Sequence, residues 1–321
     1  MRLDKIMKIL KQIDNVRNFT NNSTVVIGNF DGVHLGHKKI IREAKTLCGS
    51  SKIGIITFEP HPRDYFARNK QPFKLTSIES KYGRLKDLGV DFIVELEFNQ
   101  QLENYSPIQF VEIILYHKLG IKNIMVGQNF RFGNKRSGDF KKLKQLGQHF
   151  DIHAFKLDLE HNGEEAISST RIRTALEFGR VQEARTMLGY WHKIYGKIIH
   201  GDHRGRELGF PTANIELEGI LVPRFGVYSS IVEVLSGKFA GVYKGASSIG
   251  EKPTFGENEK NLEVFIFDFS QEIYGEKVAI SLINFQRPEE KFNNIDNLID
   301  QMHKDCEKSR INLSSFDMSG L

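Results

Sequence analysis

Two rhythms of hydrophobic and polar positions divide this chain, and the change between them falls near residue 190. From residue 24 to about 157, short apolar runs rich in β-branched residues recur at 24–28, 52–58, 91–96, 122–127 and 152–157. Between them, apolar residues return every three or four positions: Ile40, Ile41, Ala44 and Leu47; Ile78, Tyr82, Leu85 and Leu88; Phe110, Val111, Ile114, Leu115 and Leu119. The runs predict strands and the wider spacing predicts helices. Thr76 with Glu79, and Ser106 with Gln109, have the spacing of capping boxes, and Pro107 suits a first helical position. Strands alternating with helices predict right-handed βαβ units around a parallel sheet, whose ligands bind beyond the carboxyl ends of the strands. A helical pair over 170–178 and 181–188, split by Gly179, closes this half.

After residue 190 short strand-like runs follow one another at 193–199, 226–235, 238–244, 261–269 and 278–285. Ser236-Gly237 is read as a tight hairpin turn between two of them. With no helical period in between, this half is expected to be an antiparallel barrel or sandwich. Phe292, Ile295, Leu298, Ile299, Met302 and Cys306 fall on one face of a helix that packs against it. The polar end is expected to be disordered. The expected organisation is therefore a first domain over 1–187, a second over 188–311 and a tail over 312–321.

Composition narrows the class without choosing a function. A chain of 321 residues suits two domains, and 40% hydrophobic with 26% charged residues is ordinary for globular proteins. A formal charge of +5 fits anionic small substrates as well as nucleic acid. Cys48 and Cys306 are far apart and form no metal or disulfide pattern, so a reducing compartment is the default. The first ten residues mix charges with apolar residues, unlike a secretory signal, and no run of about eighteen apolar residues occurs. A cytoplasmic protein that engages no membrane is the expectation. Nothing in the sequence indicates the oligomeric state.

The candidate chemistry begins at Gly28-Asn29-Phe30-Asp31-Gly32-Val33-His34-Leu35-Gly36-His37, between a predicted strand and a predicted helix. Free backbone N–H groups at such a helix start, together with the helix dipole, favour a phosphate. His34 and His37 add donors for a triphosphate; no further Cys or His-Glu pattern makes them a metal pair. Phe58-Glu59-Pro60-His61-Pro62 ends another strand between rigid prolines, with His61 either structural or functional. Gly127-Gln128-Asn129-Phe130-Arg131-Phe132-Gly133 ends a third, and its aromatics either stack a planar ring or belong to the core. Ser168-Ser169-Thr170-Arg171, at a helix start, is read as a second anion site, although such hydroxyls also make plain N-caps.

In the second half, Gly201, Gly205 and Gly209 precede Phe210-Pro211-Thr212-Ala213-Asn214, and no P-loop is present. Leu262-Glu263-Val264-Phe265-Ile266-Phe267-Asp268-Phe269 alternates so that Glu263 shares a face with Phe265, Phe267 and Phe269, an unusual place for a solvated carboxylate.

These motifs, in this order and across nearly the whole chain, resemble those of bacterial bifunctional riboflavin kinase/FAD synthetases. The first matches the GNFDGVHLGH signature of the nucleotidyltransferases, and 209–214 matches the PTAN motif of riboflavin kinases. The resemblance implies an α/β architecture: a Rossmann-like nucleotidyltransferase domain, then an antiparallel β-barrel with a C-terminal helix. It implies phosphorylation of riboflavin by ATP to FMN, then adenylylation of FMN by a second ATP to FAD with release of pyrophosphate. Carried over by residue, Gly28, Asn29, Phe30, Asp31, Gly36, Ser169, Thr170 and Arg171 hold the adenylylating ATP, with His34 and His37 as its catalytic groups. Asn129 and Arg131 face the flavin. Arg287, in Phe285-Gln286-Arg287-Pro288-Glu289, either contacts flavin or forms a helix-entry ion pair. Gly205, Gly209, Thr212 and Asn214 hold the kinase ATP, with Thr212 and Asn214 on its Mg²⁺, and Glu263 is the base for the riboflavin hydroxyl.

The chain departs from the family pattern at Asn129, Ser248 and Phe265, and Gly250-Glu251-Lys252-Pro253-Thr254-Phe255-Gly256 follows it. The alternatives are an adenylyltransferase for another phosphate substrate, which leaves the Pro-Thr-Ala-Asn segment unexplained, and a nucleic-acid-binding barrel. Because basic runs are largely missing from the second half, the expected partners are riboflavin, FMN and ATP and not a nucleic acid.

Overall fold

The structure, a computed structural model, describes residues 6–67, 72–158, 160–162, 165–201, 205, 208–217, 219–253 and 258–318. By their contacts these form two compact units: residues up to 71 with Ile78–Ile167, and Pro72–Ser77 with residues from Ser168 onward.

The first unit holds a six-stranded parallel sheet in the order β1-β4-β3-β2-β5-β6. Its strands are β1 (Lys8–Leu10), β2 (Thr24–Ile27), β3 (Ile53–Glu59), β4 (Phe92–Glu97), β5 (Asn123–Gly127) and β6 (His153–Leu157). Five lie where the apolar runs predict them; β1 is an addition, too short and too exposed to show a pattern.

Alternation within the strands feeds two cores. Val26, Ile55, Ile93 and Met125 pack with Ile40, Ile41 and Ala44 of helix Leu35–Cys48 and with Tyr82 and Leu85 of helix Ile78–Asp87. Val25, Ile27, Ile56, Val94 and Ile124 pack on the other face with Phe110–Leu119 and with Leu143 and Leu146. Both faces are covered, as a parallel sheet requires. Leu47, expected on the buried side of its helix, is instead 43% exposed.

Ser106 and Gln109 do form the capping box, with Pro107 at the first helical position. The next ten residues, Phe110–Leu119, wind as a π-helix with the predicted apolar positions buried. Its final carbonyls accept from Thr20 Oγ1 (to Leu119 O, 2.6 Å) and from the Arg17 guanidinium. A short hairpin, β7 (His161–Asn162) with β8 (Glu165–Ala166), ends the unit.

The second unit is a closed antiparallel barrel in the order β10-β13-β12-β11-β14-β9. Its strands are β9 (Lys193–Ile199), β10 (Thr212–Leu217), β11 (Gly226–Val234), β12 (Gly241–Pro253), β13 (Asn258–Ile266) and β14 (Lys277–Arg287). Helix Ile295–Asn312 packs on β11 and β12.

Four expectations change here. Thr212–Leu217 is a strand that none of the apolar runs above predicts. β12 begins at Gly241, so Ser236-Gly237 belongs to a longer connection, where Ser236 Oγ accepts from Lys277 N at 2.9 Å. Phe292 precedes the helix, which starts after its N-cap Asn294, and Ile295 is 62% exposed, so neither lies on its packed face. Leu313, in the stretch expected to be disordered, is fully buried with Trp191, Ile231 and Ile283, and Phe316 packs against them.

The helices Ser169–Glu177 and Val181–Leu188 belong by contacts to this unit. Arg224 N donates to Leu176 O at 3.0 Å, and Gly179 lies against Phe285.

Candidate functional sites

In the first unit β2 is flanked by β3 on one side and β5 on the other, so its carboxyl end lies at the topological switch point, where such sheets bind ligands. The segments after β2, β3 and β5 therefore leave the sheet at one edge. After β2 the chain turns through backbone that few side chains adopt, with φ of +53° at Phe30, +82° at Gly32 and +34° at Val33. Phe30, at 1% exposure, puts its ring in the core, so its backbone is what remains for a ligand. Asp31 is buried as well, and Asn29 is held by Thr57 Oγ1, which donates to its carbonyl at 3.2 Å.

His34 is the N-cap of helix Leu35–Cys48: its Nδ1 accepts from His37 N at 3.3 Å. That bond places the proton of a neutral His34 on Nε2. The His37 ring stacks on His34 with centroids 3.7 Å apart, and its Nδ1 is buried without a hydrogen-bond partner. Burial, and then the charges of His34 and Lys81, hold His37 well below the usual histidine range. Gly36 leaves room for this packing, since a Cβ there would lie 3.1 Å from His34 Cε1 and the ring would have to give by a few tenths of an ångström. Lys81, 7% exposed, is a buried cation that the sequence reading passes over, because it occupies a polar position of its helix.

After β3, His61 caps the short helix Pro62–Phe66 through its Nδ1. After β5, Asn129 and Arg131 are exposed, and Arg131 lies 3.4 Å from Asp139. Phe132 packs on Phe110 in the core, and Phe130, half-buried, stacks on Phe132 at the edge of that core.

Ser168, Ser169, Thr170 and Arg171 lie in the second unit. Ser168 Oγ accepts from Arg171 N at 3.2 Å as N-cap of helix Ser169–Glu177, and Arg171 reaches Glu183 at 3.7 Å.

On the barrel, Glu263 points into a cavity of about 440 Å³. Its Oε2 accepts from Thr212 Oγ1 at 3.2 Å and its Oε1 from Asn261 Nδ2 at 2.8 Å. Asn261 was not singled out, although its i, i+2 spacing to Glu263 is the signal that it shares that face. Asn214 pairs with Glu263 across the strands and is 6% exposed. Gly201 lies so close to it that a Cβ would fall 2.1 Å from Asn214 Nδ2. Gly205 carries the carbonyl that accepts from Phe210 N at 2.7 Å, and Gly209 has φ of +85°.

Ser248 and Phe265 line the cavity, as do Leu298, Met302 and Cys306 of the C-terminal helix. Burial, and then Asp305, push the Cys306 thiol up to about 11, so it is a neutral wall and not a nucleophile. Arg287 also lines the cavity, but its guanidinium is engaged by Asp305, with Nη2 donating at 2.7 Å and Nε at 3.0 Å. Residues 202–204 and 206–207, between the glycines named from the sequence, and Thr254-Phe255-Gly256 lie outside the described residues.

A glycine-bearing histidine turn at a switch point and a carboxylate beside threonine and asparagine on a cavity-bearing barrel are two separate candidate centres, and comparison with known proteins makes the class specific. The FAD synthetase family model matches residues 16–171 and the riboflavin kinase model residues 188–313. A bifunctional riboflavin kinase/FMN adenylyltransferase of Bacillus subtilis is 38% identical over 89% of this chain and 91% of its own length. The protein of the same description from Haemophilus influenzae is 34% identical over 95% and 98%. A crystal structure described as that of a macrolide-efflux protein from Streptococcus pneumoniae superposes with a TM-score of 0.84 at 31% identity, covering 95% of this chain and 99% of that one. The chain belongs to the bifunctional riboflavin kinase/FMN adenylyltransferase family.

Proposed function

We propose that the two activities are divided between the two sites as follows, with Glu263 as the base of the kinase and the His34–His37 turn as the phosphate site of the adenylyltransferase. The activities themselves are riboflavin phosphorylation and FMN adenylylation, with riboflavin, FMN and ATP as substrates. The observation that carries the division is the Glu263 carboxylate at the cavity wall, hydrogen-bonded to Thr212 and Asn261 and opposite Asn214.

In the kinase reaction riboflavin occupies the cavity, and Glu263 accepts the proton of its 5′-hydroxyl as that oxygen attacks the γ-phosphorus of ATP and ADP leaves. Thr212 and Asn261 hold the carboxylate in position. Thr212 and Asn214 offer neutral oxygens, and among the described residues no group of three or more His, Cys, Asp or Glu is set to hold a metal ion. Such a donor set fits Mg²⁺ that comes with ATP and keeps its phosphate and water ligands. The cation neutralises phosphate charge.

In the adenylyltransferase reaction an FMN phosphate oxygen attacks the α-phosphorus of ATP and pyrophosphate leaves. A phosphate monoester is already largely ionised near pH 7, so positioning and charge neutralisation are what the site supplies. His34 donates from Nε2, and the backbone N–H groups of the turn face the phosphates. Asn129 and Arg131 are assigned to FMN, and Ser169, Thr170 and Arg171 to the phosphates of ATP. A functional division at 187/188 is consistent with the spans of the two family models. A cytoplasmic location accords with ATP use and two free cysteines; among the described residues no helix is long and apolar enough to cross a membrane.

The test is incubation with riboflavin, ATP and Mg²⁺, followed by chromatographic separation of the flavins. Glu263→Gln is expected to abolish FMN formation and to spare FAD formation from supplied FMN. His34→Ala with His37→Ala is expected to do the reverse. Loss of both activities in either folded variant would overturn the division.

A further inference from the structure

Glu263 has a neighbour on the cavity wall whose hydroxyl none of the motifs accounts for. Following the cross-strand pairing, Asn214, Glu263, Ser248, Val227 and Arg287 form one row over β10, β13, β12, β11 and β14. Directly paired residues in antiparallel strands point to the same face. Glu263, Ser248, Val227 and Arg287 of this row line the cavity. Ser248 is also a position at which the chain departs from the family pattern.

The row gives the cavity a direction. Attacking and leaving oxygens lie roughly in line at a transferred phosphoryl group, so donor and acceptor extend from Glu263 to opposite sides. With the nucleotide toward Thr212 and Asn214, riboflavin extends over β12 and β11. Beyond Ser248 the wall turns apolar: Val227 is buried, and Phe292, Leu298 and Met302 join it in the lining. That end suits a flat tricyclic ring, which leaves the polyol chain between the ring and Glu263, over Ser248.

The other groups around Glu263 are committed. Thr212 Oγ1 and Asn261 Nδ2 both donate to its carboxylate, at 3.2 Å and 2.8 Å, and Phe265 brings no polar atom. Ser248 differs: it is half-buried, and its hydroxyl makes no hydrogen bond among the described residues. Adjacent strands lie about 5 Å apart, and directly paired Cβ atoms are about as close. A hydroxyl at that distance from the base can meet the oxygen on the carbon next to the reacting one.

We propose that Ser248 reads the side chain of riboflavin by hydrogen-bonding its 4′-hydroxyl, so that the kinase selects flavins with an intact polyol. A serine hydroxyl can both donate and accept, as can the secondary alcohol it meets. A flavin without the 4′-hydroxyl leaves Ser248 unpaired on a wall shielded from water, and is phosphorylated less efficiently. The proposal rests on the reading of Glu263 as the kinase base.

The experiment uses the full chain with ATP and Mg²⁺, and measures kcat/KM for riboflavin and for 4′-deoxyriboflavin. The wild type is expected to prefer riboflavin about tenfold. Ser248→Ala is expected to lower kcat/KM for riboflavin by about as much and to leave 4′-deoxyriboflavin and the KM for ATP unmoved, so that the preference disappears. A serine that merely supported its strand would lower both flavins alike and keep the preference. Ser248→Thr keeps the hydroxyl and is expected to keep the preference. No preference in the wild type, or the same preference in Ser248→Ala, alongside a Glu263→Gln variant that makes no FMN, would overturn the role of Ser248 and leave the base standing. A Glu263→Gln variant that still phosphorylates riboflavin would remove the base and the reading of Ser248 with it.

Discussion

Gly36→Ala isolates the geometry of the histidine turn from its chemistry, because it leaves both imidazoles in place. The added Cβ would lie 3.1 Å from His34 Cε1 and 3.2 Å from Nδ1, so the ring must give way by a few tenths of an ångström. Nδ1 is also the N-cap acceptor, and its bond to His37 N is already 3.3 Å long. Loss of the cap costs about 1 kcal/mol, and the better helix propensity of alanine returns up to about as much, so global stability is expected to change little. Catalysis has no such compensation. A donor displaced by a fraction of an ångström at a reacting phosphate is expected to lower FAD formation about ten- to a hundredfold, or roughly 1.4 to 2.8 kcal/mol. The assay is FAD formation from supplied FMN and ATP, beside riboflavin phosphorylation and a denaturant titration of the same preparation. Unchanged FAD formation would refute the placement of His34 at the phosphates. Parallel loss of both activities with a lower midpoint would show a folding defect instead.

Three further outcomes are expected. Asp305→Ala leaves Arg287, whose side chain is only 16% exposed, without its carboxylate, and should destabilise the second unit by about 3 kcal/mol in chemical unfolding. Gly201→Ala drives a methyl into the Asn214 amide and should lower riboflavin phosphorylation tenfold or more, with FAD formation from FMN intact. Because His37 is held below 6.5 in the folded chain, the unfolded chain binds its proton first as the pH falls through that value. Stability should therefore be complete above about pH 7 and fall from there down to the folded pKa of His37, a loss absent from His37→Asn in denaturant midpoints measured against pH.

Much of the fold was legible because buried parallel strands and amphipathic helices leave strong periods, as in Thr24–Ile27 and in the Ile40, Ile41, Ala44 stripe. What escaped was of two physical kinds. Phe132 shows the first: a core and a flat ligand both favour aromatic side chains, and only its contact with Phe110 decides between them. The C-terminal helix shows the second. Leu298, Met302 and Cys306 continue a true face, yet Ile295 at the first helical position is left exposed, and extending the period back to Phe292 crosses the N-cap Asn294, beyond which helical spacing has no meaning. The aromatic company of Glu263 is legible in the sequence, whereas the hydrogen bond it accepts from Asn261 depends on rotamers that spacing only permits.

The closure of the barrel has a consequence for the order in which the chain becomes functional during synthesis. β9, its first strand, pairs with β14, its last, through Tyr195↔Ala279 and neighbouring registers. Such non-local pairing must wait for the loop between the strands to close, which makes it a slow step of folding. The parallel sheet of the first unit, by contrast, has every strand through β6 in hand by residue 157. On a ribosome that releases the chain from its N-terminus, the adenylylating half has all the strands of its sheet while the kinase half is still an open ribbon. Thr212 and Glu263 are made before β14, but the cavity they line also takes Arg287 of β14 and Leu298, Met302 and Cys306 of the helix that follows, so it is complete only after the last strand.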